Sequence, residues 1–126
     1  MIDHIGIEVS DYQKAKQFYE KILAPLGYKL VMEVEGFAGF GQPLQENAAI
    51  AAFWLHQGNH PSHKTHIAFK AESRSAVDQF YAIALKAGAT DHGAPGIRQH
   101  YHPNYYGAFV LDPDGHNIEA VCHQPD

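Results

Sequence analysis

Apolar and polar residues alternate at the start of the chain, with Ile5, Ile7 and Val9 on one side of a period-2 segment and His4, Gly6 and Glu8 on the other. The spacing then becomes helical. Ala15, Phe18, Tyr19, Ile22, Leu23 and Leu26 form one apolar stripe behind a cap at Ser10 or Asp11. The same succession returns from residue 66: Ile67, Phe69 and Ala71 alternate with polar or small neighbours, and a helix capped near Ser73 carries Val77, Phe80, Tyr81, Ala84 and Leu85 before stopping at Gly88. An offset of 62 residues maps His4 onto His66, Ile5 onto Ile67, "QFY" at 17–19 onto "QFY" at 79–81, and Leu23 onto Leu85. A strand start, a helix core and a helix end in one register mark an internal duplication.

Shorter extended pieces follow each helix. In the first half they are "YKLVMEV" (28–34), "FAGFG" (37–41) and "AAIAAFWLH" (48–56); in the second, a weak piece near 89–92, then "YYGAFVL" (105–111) and "HNIEAVC" (116–122). "DPDG" at 112–115 is a turn signal joining the last two as a hairpin, and 42–47 and 57–64 read as connectors. The predicted fold is α+β: one domain over residues 1–126, built of two βαβββ modules, 1–60 and 61–126. A chain of 126 residues can bury roughly two-thirds of its unfolded surface.

The 45% apolar and 12% aromatic content is that of a globular protein. A formal charge of -5 offers no basic footprint for nucleic acid, so a small-molecule substrate is expected. Cys122 is the only cysteine, which rules out an internal disulfide and suits a reducing compartment. The first residues carry Asp3, Glu8 and Asp11 where a secretion signal would be basic and then apolar, and the run "AAIAAFWL" (48–55) is too short to span a bilayer. The expectation is a cytoplasmic protein with no membrane partner.

Candidate chemistry follows from the strand faces. If the helices cover the isoleucine faces, His4 and His66 lie on the opposite side. In the final strand Ile118, Ala120 and Cys122 share a face, which turns Asn117, Glu119 and Val121 to the side of the histidines. Two imidazoles and one carboxylate on an open sheet make a facial triad for a divalent metal, with positions left for water or substrate. The stretch "RQHYHPNYYGAF" (98–109) is dense in imidazole and phenol, and His100, His102 and Tyr106 are its candidates for acid, base or substrate contact. His56 shares a face with Ala52 and Trp54, so it is at most a fourth ligand. The spacing of His56, His60, His63 and His66 does not read as a zinc tract, because the first three lie in or beside a loop with Pro61 and no cysteine partner.

These residues resemble the vicinal oxygen chelate superfamily, which includes glyoxalase I, extradiol ring-cleavage dioxygenases and bleomycin-resistance proteins. The resemblance rests on "HIGIEVSD" and "FYEKILAPLGY" in the first module, "THIAF" opening the second, and "AFVLDPDGHNIEAV" near the end. It implies that His4, His66 and Glu119 are metal ligands, that the modules curve into a cupped mixed sheet, and that the chain forms a homodimer. One divalent ion is implied, Fe2+ first, with Zn2+, Ni2+, Co2+ or Mn2+ as the other choices. Glyoxalase I adds a ligating glutamate on the last strand of its first module, where this chain reads "AIAAFWLHQG" (49–58) without a carboxylate. That departure tilts the expectation toward extradiol-dioxygenase-like chemistry over a glyoxalase-like lyase or isomerase. A metal-free drug-binding protein of the bleomycin-resistance type is the expectation from a different class.

Overall fold

The computed structural model describes residues 1–44, 48–58 and 63–125. Its elements run β1 (Ile5–Val9), α1 (Tyr12–Leu23), a 3-10 turn (Ala24–Leu26), β2 (Lys29–Val34), β3 (Phe37–Gly41), β4 (Pro43–Leu44), β5 (Ala48–Ala49), β6 (Phe53–Gln57), β7 (His66–Lys70), α2 (Arg74–Lys86), β8 (Thr90–Ile97), β9 (Tyr106–Leu111) and β10 (Asn117–Cys122). Asp11 rather than Ser10 caps α1, its carboxylate accepting the Lys14 N–H, and Ser73 caps α2 through the Ala76 N–H.

The two main sheets have one topology. The first is ordered β1-β6-β3-β2 and the second β7-β10-β9-β8. In each, the strand before the helix pairs in parallel with the last strand, and the remaining pairs are antiparallel. The fold is therefore α+β, two βαβββ units in succession.

The isoleucine faces are the buried ones, as the alternation requires. Ile7, Val9, Ile67, Phe69 and Ala71 join Phe18, Tyr19, Ile22, Leu23, Val77 and Phe80 in a single core cluster. Phe53 of the first sheet meets Phe69 of the second with ring centroids 5.2 Å apart, so both sheets bury their helix-side faces in the same core. The opposite faces consequently look outward, one from each sheet.

The "DPDG" turn also fastens the halves together. Asp112 is buried and accepts the Tyr19 hydroxyl, the Asp114 N–H at 2.9 Å and the His116 N–H at 2.8 Å. Asp114 takes the Ser10 N–H and hydroxyl. His116, buried, donates from Nε2 to the Glu8 carbonyl at 2.9 Å and accepts the Thr65 N–H at Nδ1. Every polar group drawn into this seam has a partner, the condition for burying it cheaply.

Three strand expectations change. The predicted strand 48–56 is divided: β5 pairs with β4 in a small separate hairpin, and β6 begins only at Phe53. The chain crosses Gly41 on the way, so close that a Cβ there would lie 2.0 Å from the Ile50 carbonyl oxygen. The weak piece near 89–92 is a full strand of eight residues, tolerant of Pro95 because β8 is an edge strand whose register shifts at Gly93 and Gly96. Residues 43–44 of the predicted 42–47 connector form β4, while 45–47, and His60 with the rest of 59–62, lie outside the described residues. No described helix is long and apolar enough to cross a membrane.

Candidate metal centre

On the outward face of the second sheet, Glu119 stands opposite Ala68 on one side and Phe109 on the other. It is a carboxylate only 1% exposed, with one close polar neighbour at each oxygen. Oε2 accepts the Tyr105 hydroxyl, and Oε1 lies 3.2 Å from Nε2 of His66. Burial, and then the bond to Glu119, push the Tyr105 phenol well above its ordinary pKa, so it remains a proton donor. Gly107 makes room for this cluster: a Cβ there would lie 3.1 Å from Glu119 Oε2 and 3.2 Å from Tyr105 Cε1.

One nitrogen of His66 is fixed by the backbone. Nδ1 is 3.0 Å from the carbonyl of Asn117, which can only accept, so Nδ1–H donates to it and Nε2 is the nitrogen turned toward Glu119. Nε2 and Glu119 Oε1 face each other across 3.2 Å, close enough to share a proton or a cation. A carbonyl-anchored imidazole beside a carboxylate is a donor set that fits a divalent metal. Phe109 stacks on the His66 ring at 6.1 Å and 25°, fixing its plane. His66, Glu119, Tyr105, Phe109 and Tyr101 line a cavity of about 320 Å³.

His4 is elsewhere. It lines a larger and mostly apolar cavity of about 530 Å³ on the first sheet, with Gly6, Val34, Phe37, Trp54 and His56. Its side chain is 58% exposed, and Nδ1 sits 2.7 Å from Asp3 Oδ1. Trp54 and His56 do share the open face, as their spacing predicted. Among the described residues, no three His, Cys, Asp or Glu side chains are close enough to hold one ion. The expected triad is thus divided within a single chain: His66 and Glu119 meet, and His4 stands with His56 in the other cavity. The physical reason is the shared core, which turns the two histidine-bearing faces away from each other.

The 98–109 stretch is only partly at the site. His100 lines a neighbouring cavity, its ring 4.1 Å from Tyr101. His102 does not reach the carboxylate: its Nδ1 accepts the Asn104 N–H and its ring packs edge-on to His123. Tyr106 faces the opposite way, donating its hydroxyl to Asp78 of α2 at 2.6 Å beneath the Arg74 guanidinium. Strand alternation dictates this, since Tyr106, Ala108 and Val110 share the helix face. The residues missed are Tyr105, Gly107 and Phe109. The buried pattern Ala108–Val110, extended backward in steps of two, carries the signal that would have separated Tyr105 from Tyr106.

Comparison with known proteins agrees with this fold. The family model described as glyoxalase/bleomycin resistance protein/dioxygenase superfamily matches residues 1–120. A glyoxalase/bleomycin resistance protein from Albidiferax ferrireducens is 25% identical, with a TM-score of 0.78 and coverage of 95% of this chain and 96% of that one. A family enzyme from Burkholderia phytofirmans has a TM-score of 0.71 at 19% identity, covering 98% of both chains. The fosfomycin resistance protein FosX from Mesorhizobium loti has a TM-score of 0.68 at 18% identity, covering 97% of this chain and 91% of its own. No curated protein sequence matches the chain.

Proposed function

Because this chain belongs to the glyoxalase/bleomycin resistance protein/dioxygenase superfamily, we propose that it is a divalent-metal-dependent enzyme acting on a small molecule that chelates the metal through adjacent oxygens. The observation that supports this best is the His66 Nε2 held 3.2 Å from a buried Glu119 oxygen by the bond of Nδ1 to the Asn117 carbonyl, a pair that could bind a cation between them. The remaining ligand, His4, comes from a second copy. Two half-sites that face outward from one chain are completed by a two-fold dimer, which sets the first sheet of each copy against the second sheet of the other and makes two equivalent centres. Val34 and Phe37 lining the first cavity, and Tyr101 lining the second, are exposed apolar groups suited to that contact.

In such a centre His4, His66 and Glu119 would hold the ion, and the chemistry it would supply is that of a Lewis acid. Tyr105 keeps a proton at Glu119 Oε2. Phe109 and Tyr101 on one side, Trp54 and Phe37 on the other, exclude water and take the apolar part of the substrate. A set of two imidazoles and one carboxylate would suit Fe2+ and extradiol-dioxygenase-like chemistry on a chelating substrate. A second reading is favoured by one observation, that His56 shares the cavity of His4: as a fourth ligand it suits a lyase or isomerase on Zn2+, Ni2+ or Co2+.

The test is anaerobic purification, metal analysis and mass in solution, followed by oxygen uptake with a catechol panel against methylglyoxal–glutathione isomerisation. One ion per chain in a dimer is expected, lost alike in His4→Ala, His66→Ala and Glu119→Gln, and His56→Ala separates three ligands from four. A protein with no affinity for Fe2+, Zn2+, Ni2+, Co2+ or Mn2+ would overturn the proposal in favour of metal-free drug binding in the same cavities.

A further inference from the structure

Beside the His66 and Glu119 cavity lies a second, of about 340 Å³, lined by His92, Arg98, His100, Tyr101, Phe109 and Asn117. Tyr101 and Phe109 belong to both. Arg98 is the distinctive member. Its Nη1 donates to the carbonyls of Gly96 and Gly107 at 2.8 and 2.6 Å, and Nη2 to that of Ala94 at 2.9 Å. The guanidinium also lies over the Phe109 ring, 5.3 Å from its centroid. These contacts lock the side chain in place and use three of the five N–H groups an arginine possesses, so two remain for a ligand. Among the described residues Arg98 forms no ion pair. A rigid, partly desolvated cation without a counter-ion is a preorganised anion receptor.

The rest of the lining agrees. His92 and His100 supply ring N–H donors. Asn117, whose Oδ1 is buried without a hydrogen-bond partner, completes the lining. Two carboxylates of this region already accept hydrogen bonds: Asp91 from the Tyr81 hydroxyl and the Gly93 N–H, and Glu119 from the Tyr105 hydroxyl.

We propose that this cavity is the subsite for an oxyanionic group of the substrate, a carboxylate or a phosphate-type group. The substrate is then bifunctional: its chelating oxygens address the His66 and Glu119 side of Phe109, and its anionic group the Arg98 side. This extends the metal-enzyme reading by naming the substrate class, but the subsite itself requires no metal.

The experiment therefore uses the full-length protein without metal. Benzoate, phenyl phosphate and neutral benzamide are titrated while the Arg98 Nε–H and the amides of His92, His100 and Phe109 are followed by NMR. Both anions, but not benzamide, are expected to shift these signals, and the better-bound anion identifies the carboxylate or the phosphate-type source. Arg98→Gln should weaken binding at least tenfold while leaving divalent-metal affinity within twofold of wild type. Because Arg98 also ties three carbonyls, His92→Ala and His100→Ala, both at exposed positions, provide a second check, each expected to cost about threefold. Equal binding of benzamide, shifts confined to other regions, or unaltered anion affinity in all three variants would overturn the subsite. Anion binding at Arg98 in a protein that takes up no metal would uphold the subsite and remove the metal-enzyme proposal instead.

Discussion

The two halves share a topology and differ on their open faces. Ile5 pairs with Phe53 in the first sheet and Ile67 with Ile118 in the second, so Trp54 is the counterpart of Glu119. Continuing across each sheet, Gly39 answers to Phe109 and Phe37 to Gly107. The first half thus carries an indole over a glycine, in an apolar cavity edged by His4 and His56. The second has a carboxylate over a glycine, with a phenol bonded to it and an imidazole in reach. Duplication supplied one scaffold twice, and divergence at a few outward positions made one face a polar centre and the other an apolar wall.

The strongest way to break this comparison is to exchange the counterparts' chemistry. If Glu119 holds the ion as proposed, Glu119→Gln should lower divalent-metal affinity at least about 100-fold by isothermal titration, because losing a ligand outweighs losing a supporting group. Trp54→Phe, at the equivalent position, should leave that affinity unchanged. Equal effects would mean that the halves share the metal burden differently from this reading.

The repeated "QFY" sharpens it next. Tyr19 is fully buried, and its hydroxyl serves the buried Asp112, whereas its counterpart Tyr81 is partly exposed and bonds Asp91 at 3.0 Å. Tyr19→Phe leaves a buried carboxylate short of a donor and should cost about 1–3 kcal/mol in urea unfolding. Tyr81→Phe should stay within about 0.5 kcal/mol.

Glycines under the two open faces give a third contrast. A Cβ on Gly39 meets Ala51 at 2.7 Å and the Trp54 ring at 2.9 Å, so Gly39→Ala should cost about 1–3 kcal/mol of stability without altering metal binding. Gly107→Ala instead presses on Glu119 and Tyr105, and should weaken metal binding roughly tenfold for a stability loss of about 1 kcal/mol. The smallest effect concerns Asp91, whose carboxyl is held below its ordinary pKa by the Gly93 N–H and then by Tyr81. A depressed carboxyl stabilises the fold above its unfolded pKa and loses that contribution as pH falls through its lowered folded value. Thermal melts from neutral to acid should therefore show a slight convergence of wild type and Asp91→Asn at low pH.

Much of this was legible in the pattern. The alternation of Ile5–Val9 and of Ile67–Ala71 named the buried faces, the helical stripes named the core, and the last-strand spacing put Glu119 opposite the helices. Tyr106 faces the helices and Tyr105 the carboxylate, a difference of a single step of strand phase, since one residue's shift exchanges the faces. The length of β8 was hidden because glycine and proline at an edge strand read locally as loop. The division of His4 from His66 and Glu119 had no local signature at all.

Sequence alone determined which side of each strand is apolar, where the helices start, and that the plan occurs twice, because these depend on periodicity and on capping groups a few residues away. Tertiary structure decided which residues meet. The two sheets press their apolar faces into one core, so the outward faces part, His66 finds Glu119 only through the parallel pairing of β7 with β10, and Arg98 finds its three carbonyls only where the β8 edge bulges. Contacts between distant segments are set by how whole surfaces pack, and no short window of residues encodes that.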